Sequence, residues 1–587
     1  MFNSCFRAFI KISLLLINIS LVCYADIHYV SKTGTSKYPY TFWETASDSI
    51  QKCVDICNNG DTVYVANGIY FENLVVTKEI SLIGSSMDST VINASQLSNL
   101  NAIEYDADGR LSNFHIIGKP IVYYGTSCIY TLGHNLYINN CSFEKAYVGI
   151  GIINSSSIID NNIFNNSYAF LMGDDSDTTY SSFTNSIILN SDNYDHGAIH
   201  LDLGGSVYIA NNIVLGGGRC YQGLNSYYNK DVIIKNNIFA GFTSANVSLG
   251  DVWDTSIINN NVFAYMVGSQ SNVTFRTSDK TLIRNNIFAY SPDALNGRVL
   301  NQHLDSDYNL FWGNKRNTLN SATLGSHDII ADPMFVKDTL PMNLLNFDFH
   351  LQEYSPAIKN GDPAILNKGG SRSDIGAFGG PLGDIYAYKD LAPRPPVNLS
   401  AILDSTTITI KWNKNTEADT AYYNIYYDTI PDFTIGPQKL LSRQKDTNFI
   451  HPLAKNIKQL YYKLTAEDKT GNISLPSEEL TVKLNNIHEY PYLISDFKLY
   501  QNYPNPFNPK TMIAFKLKEK GYIKLLVYDI TGKIVKVLNN EVKDKGYYET
   551  EFDANGLASG IYFYRFDVIG SGKIIIYSET KKMILIK

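Results

Sequence analysis

An Asn-x-x-apolar tetrad recurs through the middle third of the chain at nearly constant spacing, and this repeat limits what the chain can fold into. Successive apolar members are separated by 21 to 26 residues, and the residue three before each is Asn, except at the last, where it is Tyr308. A fixed period in this range is typical of a solenoid, because each coil buries its apolar face only against its neighbours. The apolar members are Phe143, Phe164, Ile188, Val214, Phe239, Phe263, Phe288 and Phe311.

Short β-branched runs such as Ser256-Ile257-Ile258 precede the tetrads, so we expect the same strand to recur once per coil. Asn pairs follow several of these runs, for example Asn236-Asn237 and Asn260-Asn261. Asn tolerates the left-handed backbone conformation of a tight corner. Stacked in register, such amides also form a hydrogen-bonded ladder. The pattern therefore predicts an architectural role for the Asn pairs.

The N-terminal region carries signals for a cap and for export. The stretch from Thr45 to Asn58 places apolar residues on one helical face, and a helix here would cover the open end of the solenoid. Before it, Arg7 and Lys11 precede an apolar run that ends near Cys23, which predicts a secretory signal cleaved after Ala25. No other stretch is long and apolar enough to span a bilayer, so the mature chain is expected to have no membrane span.

The number of cysteines argues against a disulfide-rich fold, and the net charge argues against nucleic-acid binding. Five cysteines follow the predicted signal, and an odd number excludes a full disulfide framework. Cys53 and Cys57 stand four apart on the predicted helix without a partner at zinc-finger spacing, so we interpret them as small buried hydrophobes. The net charge is -7, and no basic stripe is present. Nucleic acid is therefore not an expected partner.

Residues 26–385 resemble the right-handed parallel β-helix of the pectin-lyase-like superfamily. Gly60-Asp61-Thr62-Val63 and Gly68-Ile69-Tyr70-x-Glu72-Asn73 are similar to that family's N-terminal cap and first coil. Asp332-Pro333-Met334-Phe335 and Asp374-Ile375-Gly376-Ala377-Phe378-Gly379-Gly380 are similar to the closing segment of secreted members. The resemblance implies this fold without a particular function, because the superfold hosts lyases, hydrolases, adhesins and inert scaffolds.

Two further modules are predicted beyond a Pro-rich linker at 386–396. Residues 397–486 resemble a fibronectin type III module, with Trp412 on an inner face. Residues 487–587 resemble the C-terminal sorting domain of type IX secretion cargo, through Leu499 to Pro509 and the terminal strand Lys582 to Lys587. This second resemblance implies recognition by the type IX machinery. It also implies release from, or attachment to, the outer surface of a Gram-negative bacterium. The expected fold class is thus all-β, a right-handed parallel β-helix with a short N-terminal capping helix, followed by two small β-sandwich domains at 397–486 and 487–587.

A second strand follows each tetrad, and candidate binding residues lie in or just after it. Because coils superpose, residues scattered over a hundred positions would line one edge of the solenoid, and a sugar chain would lie along that edge. Trp253 is the expected stacking residue, and His200 points outward if Ile199 and Leu201 point inward. The carbohydrate-binding candidates are His200, Asp202, Asp251, Trp253 and Asp254.

If the protein is a polysaccharide lyase, residues along this same edge of the solenoid would have to catalyse an elimination reaction. Elimination neutralises a uronate carboxylate, often with Ca2+ held by Asp side chains, and removes the C5 proton with a base. Lys230 and Arg276 are the available bases. A hydrolase would instead use two carboxylates, for which Asp202 with Asp251 or Asp254 are available. Neither set matches a known catalytic motif, and the competing interpretation of each residue is a solvated charge on a turn.

The sequence therefore predicts a secreted or surface-held β-helix protein that interacts with an extracellular polysaccharide as a binding or adhesive scaffold. The alternative is a polysaccharide-degrading enzyme, either a lyase or a glycoside hydrolase. The cofactor remains open, with Ca2+ the expected ion for a lyase. The glycan, the mode of attachment and the oligomeric state also remain open.

Overall fold

The computed structural model describes most of the chain after residue 24. The predicted signal and its cleavage site therefore lie largely outside the described residues. The described residues are 25–119, 126–165, 168–173, 178–189, 197–218, 220–268, 271–276, 280–298, 304–337, 346–404, 407–452, 457, 459–484, 496–570 and 574–586.

Three parallel sheets, here named A, B and C, wind around one long core, and each coil contributes one strand to each sheet in turn. Sheet A contains Ile27–Val30, Thr62–Val65, Ser81–Gly84, Gly109–Ser112, Leu136–Asn139, Ile158–Asp160, Tyr180–Thr184, Ser206–Ala210, Asp231–Lys235, Thr255–Asn259, Lys280–Arg284 and Leu304–Asp307. Sheet B contains Gly68–Tyr70, Thr90–Asn93, His115–Ile117, Ser142–Glu144, Ile163–Asn165, Ile187–Leu189, Ile213–Leu215, Ile238–Ala240, Val262–Ala264, Ile287–Ala289, Leu310–Trp312 and Ile329–Ile330. Sheet C contains Leu74–Val76, Ile103–Tyr105, Ser127–Leu132, Val148–Ile153, Tyr168–Gly173, Gly197–Gly204, Gln222–Asn229, Ala245–Leu249, Ser271–Phe275, Asp293–Gly297 and Arg316–Asn320.

The tetrads lie in register at the corner between sheets A and B, as the repeat predicts. Their Asn residues adopt the left-handed conformation, with φ of 56° at Asn236 and at Asn260. Tyr308, the exception in sequence, adopts the same conformation with φ of 58°. The apolar members are fully buried, and the rings of Phe263 and Phe288 stack with centroids 5.3 Å apart. The parallel β-helix predicted from the sequence is confirmed.

The second Asn of each pair forms the predicted ladder inside the corner. Asn237 Nδ2 donates to Asn261 Oδ1 at 3.0 Å, and Asn261 Nδ2 donates to Asn286 Oδ1 at 2.9 Å. These amides are fully buried, yet each also bonds to backbone groups of adjacent coils. A buried polar group is tolerated only when its hydrogen bonds are made. Because successive coils are alike, each coil forms the same hydrogen bonds to the Asn of the next coil.

The N-terminal cap contains a shorter helix than the sequence predicts. The helix α1 is Ile50–Ile56, and a 3-10 turn occupies Trp43–Thr45. The intervening residues are extended instead, because Ser47 exchanges backbone hydrogen bonds with Tyr29 and Ser31 beside the first strand. The carboxylate of Glu72 accepts from the backbone N–H groups of Ile50 and Gln51, which satisfies the first turn of α1.

The closing segment packs on the outer face of sheet B. Its strands Phe335–Lys337 and Asp348–Leu351 pair antiparallel, and Phe335, Phe349 and Ile375 bury apolar side chains of that sheet. Corner amides also hold it, since Asn236 Nδ2 donates to Ala377 O at 2.8 Å and Asn260 Nδ2 to Asp374 O at 3.0 Å. This packing covers the outer face of sheet B over its later strands, at Ile238, Val262 and Ile287.

Contacts divide the chain into two compact units, 1–391 with 416–419 and 392–415 with 420–587. The second unit contains two pairs of antiparallel sheets, each with its own apolar core. The first pair comprises Ser400–Leu403, Thr407–Lys411 and Asn448–Pro452 against Leu440–Gln444, Thr420–Asp428, Gln459–Asp468 and Leu480–Lys483, and a 3-10 turn lies at Pro437–Lys439. The second comprises Lys498–Leu499, Lys510–Leu517 and Gly546–Asp553 against Ile534–Lys543, Gly521–Tyr528, Gly560–Ile569 and Ile575–Leu585.

The two sandwiches agree with the all-β class predicted for this region. The domain boundaries and the fibronectin type III assignment remain predictions. Among the described residues, no helix has the length and apolar character needed to cross a bilayer.

Candidate functional site

Two rows of outward-facing side chains cross the strands of sheet C. The register aligns His200 with Asn225, Asn225 with Ser248, and Ser248 with Thr274. Ile199 and Leu201 are fully buried, so His200 between them faces outward, as predicted. Residues far apart in sequence therefore become neighbours about 4.8 Å apart, which is the spacing of strands in a sheet.

The second row includes Asp202, which pairs with Gly173 on one side and with Tyr227 on the other. One residue beyond the paired strands the register continues through Gly250 and Arg276 to Arg298, because Arg276 N donates to Leu249 O and Arg298 N to Phe275 O. Both arginine side chains are exposed, whereas Asp202 is half-buried. The row thus places a carboxylate on one side of Tyr227 and two adjacent guanidinium groups on the other.

These rows form the floor and one wall of a cleft with a volume of about 520 Å³. The described residues that line the cleft include two arginines, one aspartate and one histidine, His200. At neutral pH this local charge is positive although the whole chain carries -7. The lining residues are His200, Asp202, Tyr221, Gln222, Asn225, Tyr227, Ala245, Ser248, Leu249, Thr274, Arg276 and Arg298.

Tyr227 is held in the cleft by its neighbours in the second row. A Cβ on Gly250 would lie 2.1 Å from Cδ1 of Tyr227, so the ring occupies space that any other residue at position 250 would fill. The ring also faces Arg276, whose guanidinium carbon lies 6.0 Å from the ring centroid. This distance is at the outer limit of a cation–π contact, which orients both groups over the floor.

The floor of the cleft contains buried polar atoms without protein partners. Asn225 is 6% exposed and Thr274 is 5% exposed. Within the part of the chain that the structure describes, neither Asn225 Oδ1 nor Thr274 Oγ1 has a hydrogen-bond partner. Buried groups of this kind are normally satisfied, so a ligand hydroxyl or an ordered water is the natural partner here.

The other predicted site residues lie elsewhere, at the turn between sheets C and A. Trp253 N donates to Asn229 O and Asp254 N donates to Lys230 O, which stacks these residues in a column at the edge of the solenoid. Trp253 is 52% exposed and Asp254 is also exposed. The structure therefore brings His200, Asp202 and Arg276 together in the cleft, but its described lining does not include Lys230, Asp251, Trp253 or Asp254.

Because Asp251 and Asp254 lie outside the described lining, the cleft has few oxygen ligands for the Ca2+ ion expected for a lyase. Ca2+ takes six to eight oxygen ligands, several of them carboxylates. Among the described residues of the cleft, Asp202 is the one carboxylate, and Arg276 and Arg298 stand in the same row. This donor set does not fit Ca2+.

Several lining residues were not among the sequence candidates. Arg298 follows the strand Asp293–Gly297, whose mixture of small and polar residues gives little strand signal. Tyr221 directly precedes the strand Gln222–Asn229 and Tyr227 lies within it, and the sequence does not mark where this strand ends. Counting forward from the tetrads does not align the two arginines, because Arg276 lies 13 residues after Phe263 whereas Arg298 lies 10 residues after Phe288.

The three sheets define a parallel β-helix protein, and a cleft that contains two arginines lies on its sheet C. Residues 501–584 match the family model described as the secretion system C-terminal sorting domain. The chain thus carries a type IX secretion C-terminal sorting domain, which indicates export to the cell surface or the extracellular space and interaction with the secretion machinery. No curated protein matches the sequence.

Solved structures with similar folds include carbohydrate-active proteins. The alginate lyase from Paenibacillus sp. str. FPU-7 is 12% identical, with 48% of this chain and 96% of that chain covered and a TM-score of 0.31. Pectate lyase Pel9A is 14% identical, with 60% and 96% covered and a TM-score of 0.28. Pectin methylesterase PemA from Erwinia chrysanthemi is 10% identical, with 51% and 92% covered and a TM-score of 0.23. Scores this low carry no argument about activity, so the fold assignment rests on the strand register.

Proposed function

We propose that this exported protein binds an acidic polysaccharide in the cleft on sheet C. The observation that carries the proposal is the pair Arg276 and Arg298, adjacent in one row beside Tyr227 and above the partnerless floor atoms. A guanidinium group presents a planar fork that matches a carboxylate or sulfate, and it keeps its charge at any physiological pH. A uronate-rich chain is the ligand class that fits best.

The remaining lining groups suit the neutral parts of a sugar ring. Tyr221 and Tyr227 offer aromatic surface with a polar tip, as groups that contact sugars commonly do. Asn225 Oδ1 and Thr274 Oγ1 are buried, and they would accept from hydroxyl groups once these side chains turn toward a ligand, while Asn225 Nδ2 lies 3.5 Å from His200 Nδ1. The cleft therefore combines charge recognition, aromatic surface and unsatisfied acceptors within neighbouring coils.

The proposed setting is the outer surface of a Gram-negative bacterium, reached through the type IX machinery after removal of a signal ending at Ala25. In this setting residues 397–486 act as a fibronectin type III-like spacer. Trp253 and Asp254 remain proposed as an outer contact for a longer glycan, because Trp253 is 52% exposed on the turn column. Asp251, next to Gly250, would support the same contact.

Calorimetric titration tests the binding proposal. Polygalacturonate and alginate oligosaccharides are expected to bind, and an uncharged oligosaccharide of equal length is expected to bind much more weakly. Arg276→Ala and Arg298→Ala should each weaken binding at least about tenfold, since a charge-assisted hydrogen bond contributes roughly 1.5 to 3 kcal/mol. Lys230→Ala is the matched control outside the described cleft lining and should leave the affinity unchanged. Equal losses in all three variants, or no difference between charged and uncharged ligands, would refute the proposal.

The convergence of His200 with the two arginines favours a second candidate, a lyase acting by β-elimination. Arg276 and Arg298 would neutralise the uronate carboxylate, which makes the C5 proton acidic. A neutral His200 imidazole would take that proton, the C5–H electron pair would form the C4–C5 double bond as the C4–O bond breaks, and the resulting imidazolium or solvent water would protonate the leaving oxygen. Formation of a product with ultraviolet absorbance from a C4–C5 double bond tests this candidate directly. Robust turnover lost in His200→Ala or Arg276→Ala would replace the binding proposal by this one, and turnover lost in Lys230→Ala would place the chemistry on the turn column.

A further inference from the structure

A second cluster of chemically reactive side chains lies at the opposite part of the β-helix, under the N-terminal cap. His28 comes from the first strand, Cys57 from the end of α1 and Asp61 from the turn before the second strand. They are 4%, 1% and 1% exposed, respectively. One ligand atom from each lies within 4.8 Å of the other two. The cluster is therefore buried and already assembled.

The hydrogen bonds of His28 leave one ring nitrogen unexplained. Nδ1 lies 2.9 Å from the carbonyl oxygen of Pro39, which can only accept, so Nδ1 carries the proton. In a neutral imidazole Nε2 is then a bare lone pair, yet it lies 3.3 Å from Asp61 Oδ2. Two acceptors facing each other require either a proton, on His28 or on Asp61, or a metal ion between them.

Asp61 presents its lone pairs to the same point. Its Oδ1 accepts from Asp26 N at 2.8 Å, and its Oδ2 accepts from Asn58 N at 2.7 Å. These bonds fix the carboxylate and explain its role in the turn. They do not explain why Oδ2 faces His28 Nε2, and they leave further lone pairs on Oδ2 for a cation.

Cys57 distinguishes between the proton and the metal. An imidazolium–carboxylate pair needs no thiol, whereas a thiolate together with an imidazole and a carboxylate is a donor set typical of Zn2+. Cys53 precedes Cys57 by one helical turn, but its Sγ is not one of the three ligand atoms that lie within 4.8 Å of one another. The Nδ1 bond to a backbone carbonyl is the arrangement usual for metal-binding histidines.

We propose that His28 Nε2, Cys57 Sγ and Asp61 Oδ2 bind a structural Zn2+ ion under the cap. Binding would release the Cys57 thiol proton to solvent and would replace its present bond to Cys53 O. The ion would tie the first strand, α1 and the second strand together. These elements close the end of the solenoid, so the ion would stabilise the cap against unravelling.

Metal analysis of the mature chain, residues 26–587, tests the proposal. After incubation with Zn2+ and removal of excess ion, we expect about one equivalent per chain by mass spectrometry of the metal. His28→Gln and Cys57→Ser should retain less than about a tenth of that amount. Cys141→Ser, which changes a buried thiol elsewhere in the β-helix, should retain all of it.

Cobalt substitution protects the test against variants that fail to fold. Co2+ added to the unaltered chain should give the intense near-ultraviolet band of a thiolate–cobalt bond and visible bands of tetrahedral coordination. Adding Zn2+ should abolish these bands and raise the Tm of the β-helix. Retention of no metal, with no thiolate–cobalt band and no change in Tm, would overturn the proposal and assign the contact to a proton on His28 or on Asp61.

Discussion

The ring of Tyr227 lies over the Cα of Gly250, on the adjacent strand of sheet C. A Cβ at position 250 would lie 2.1 Å from Tyr227 Cδ1, so the ring reaches across toward Arg276 only because residue 250 has no side chain. The two residues are 23 positions apart and are neighbours only through the register of the coils. The position of the Tyr227 ring in the cleft therefore depends on the glycine at position 250.

Gly250→Ala should push the Tyr227 ring out of its position and weaken binding of an oligouronate about two- to fivefold, because an exposed cation–π contact contributes roughly 0.5 to 1 kcal/mol. Calorimetric titration measures this loss. Gly173→Ala is the matched control, since Gly173 pairs with Asp202 in the same row and a Cβ there would meet no atom of the described residues within 4 Å. An unchanged affinity in Gly250→Ala would show that Tyr227 does not contact the ligand.

Arg276→Lys should separate charge from geometry. The lysine keeps the positive charge but loses the planar fork, so affinity should fall less than in Arg276→Ala and should become more sensitive to salt. Titrations at low and high ionic strength measure both effects. If the lysine variant binds as well as the unaltered protein at every ionic strength, simple charge attraction accounts for Arg276.

The Asn ladder should be a major source of stability in the β-helix. Asn261→Ala removes the amide that bonds to Asn237, Asn286 and the backbone oxygen of Ile234. Leaving these buried groups without partners should cost at least about 2 kcal/mol and lower the Tm by several degrees. Asn161→Gly is the control, because Asn161 is exposed with φ of 55°, a conformation that glycine adopts freely. Calorimetry should show little change for this control.

Asp468 in the first sandwich should make that domain sensitive to acid. Burial by itself raises the pKa of its carboxyl group, but hydrogen bonds from Asn472 and Thr470 outweigh burial and hold the pKa below the ordinary value of 3.8. A depressed pKa in the folded state contributes stability above the unfolded pKa, and this contribution is lost as pH falls through the folded pKa. Asp468→Asn should therefore lower the Tm at pH 7, and the difference should narrow below about pH 4. A difference that does not change between pH 7 and pH 3 would contradict this account.

The repeat made most of the fold predictable, because each tetrad position has the same environment in every coil. Phe239, Phe263 and Phe288 stack at one corner, and the Asn three residues before each has φ between 56° and 58°. Each of the eight tetrads therefore supports the same assignment of strand and corner. The cap was predicted less accurately. Residues near Ser47 have helical spacing of apolar positions, but pairing with Tyr29 and Ser31 outweighs the local preference.

The candidate site was only partly predictable because it depends on exact register where coil lengths vary. Arg276 and Lys230 both follow a sheet C strand in sequence, but Arg276 continues the second row whereas Lys230 begins the turn. Arg298 follows a strand with little apolar alternation, and nothing in its local sequence relates it to Arg276. The cluster of His28, Cys57 and Asp61 was missed because parallel pairing of the first two strands brings together residues that are 33 positions apart.

Hydrogen–deuterium exchange with and without a saturating uronate oligosaccharide tests the central claim most directly, since it locates the ligand without any substitution. The account predicts slower exchange in Gly197–Gly204, Gln222–Asn229, Ala245–Leu249 and Ser271–Phe275, and no change in the sandwich strands or in sheet B. Protection confined to the turn column around Trp253, or to the C-terminal unit, would contradict the claim that the cleft on sheet C is the binding site.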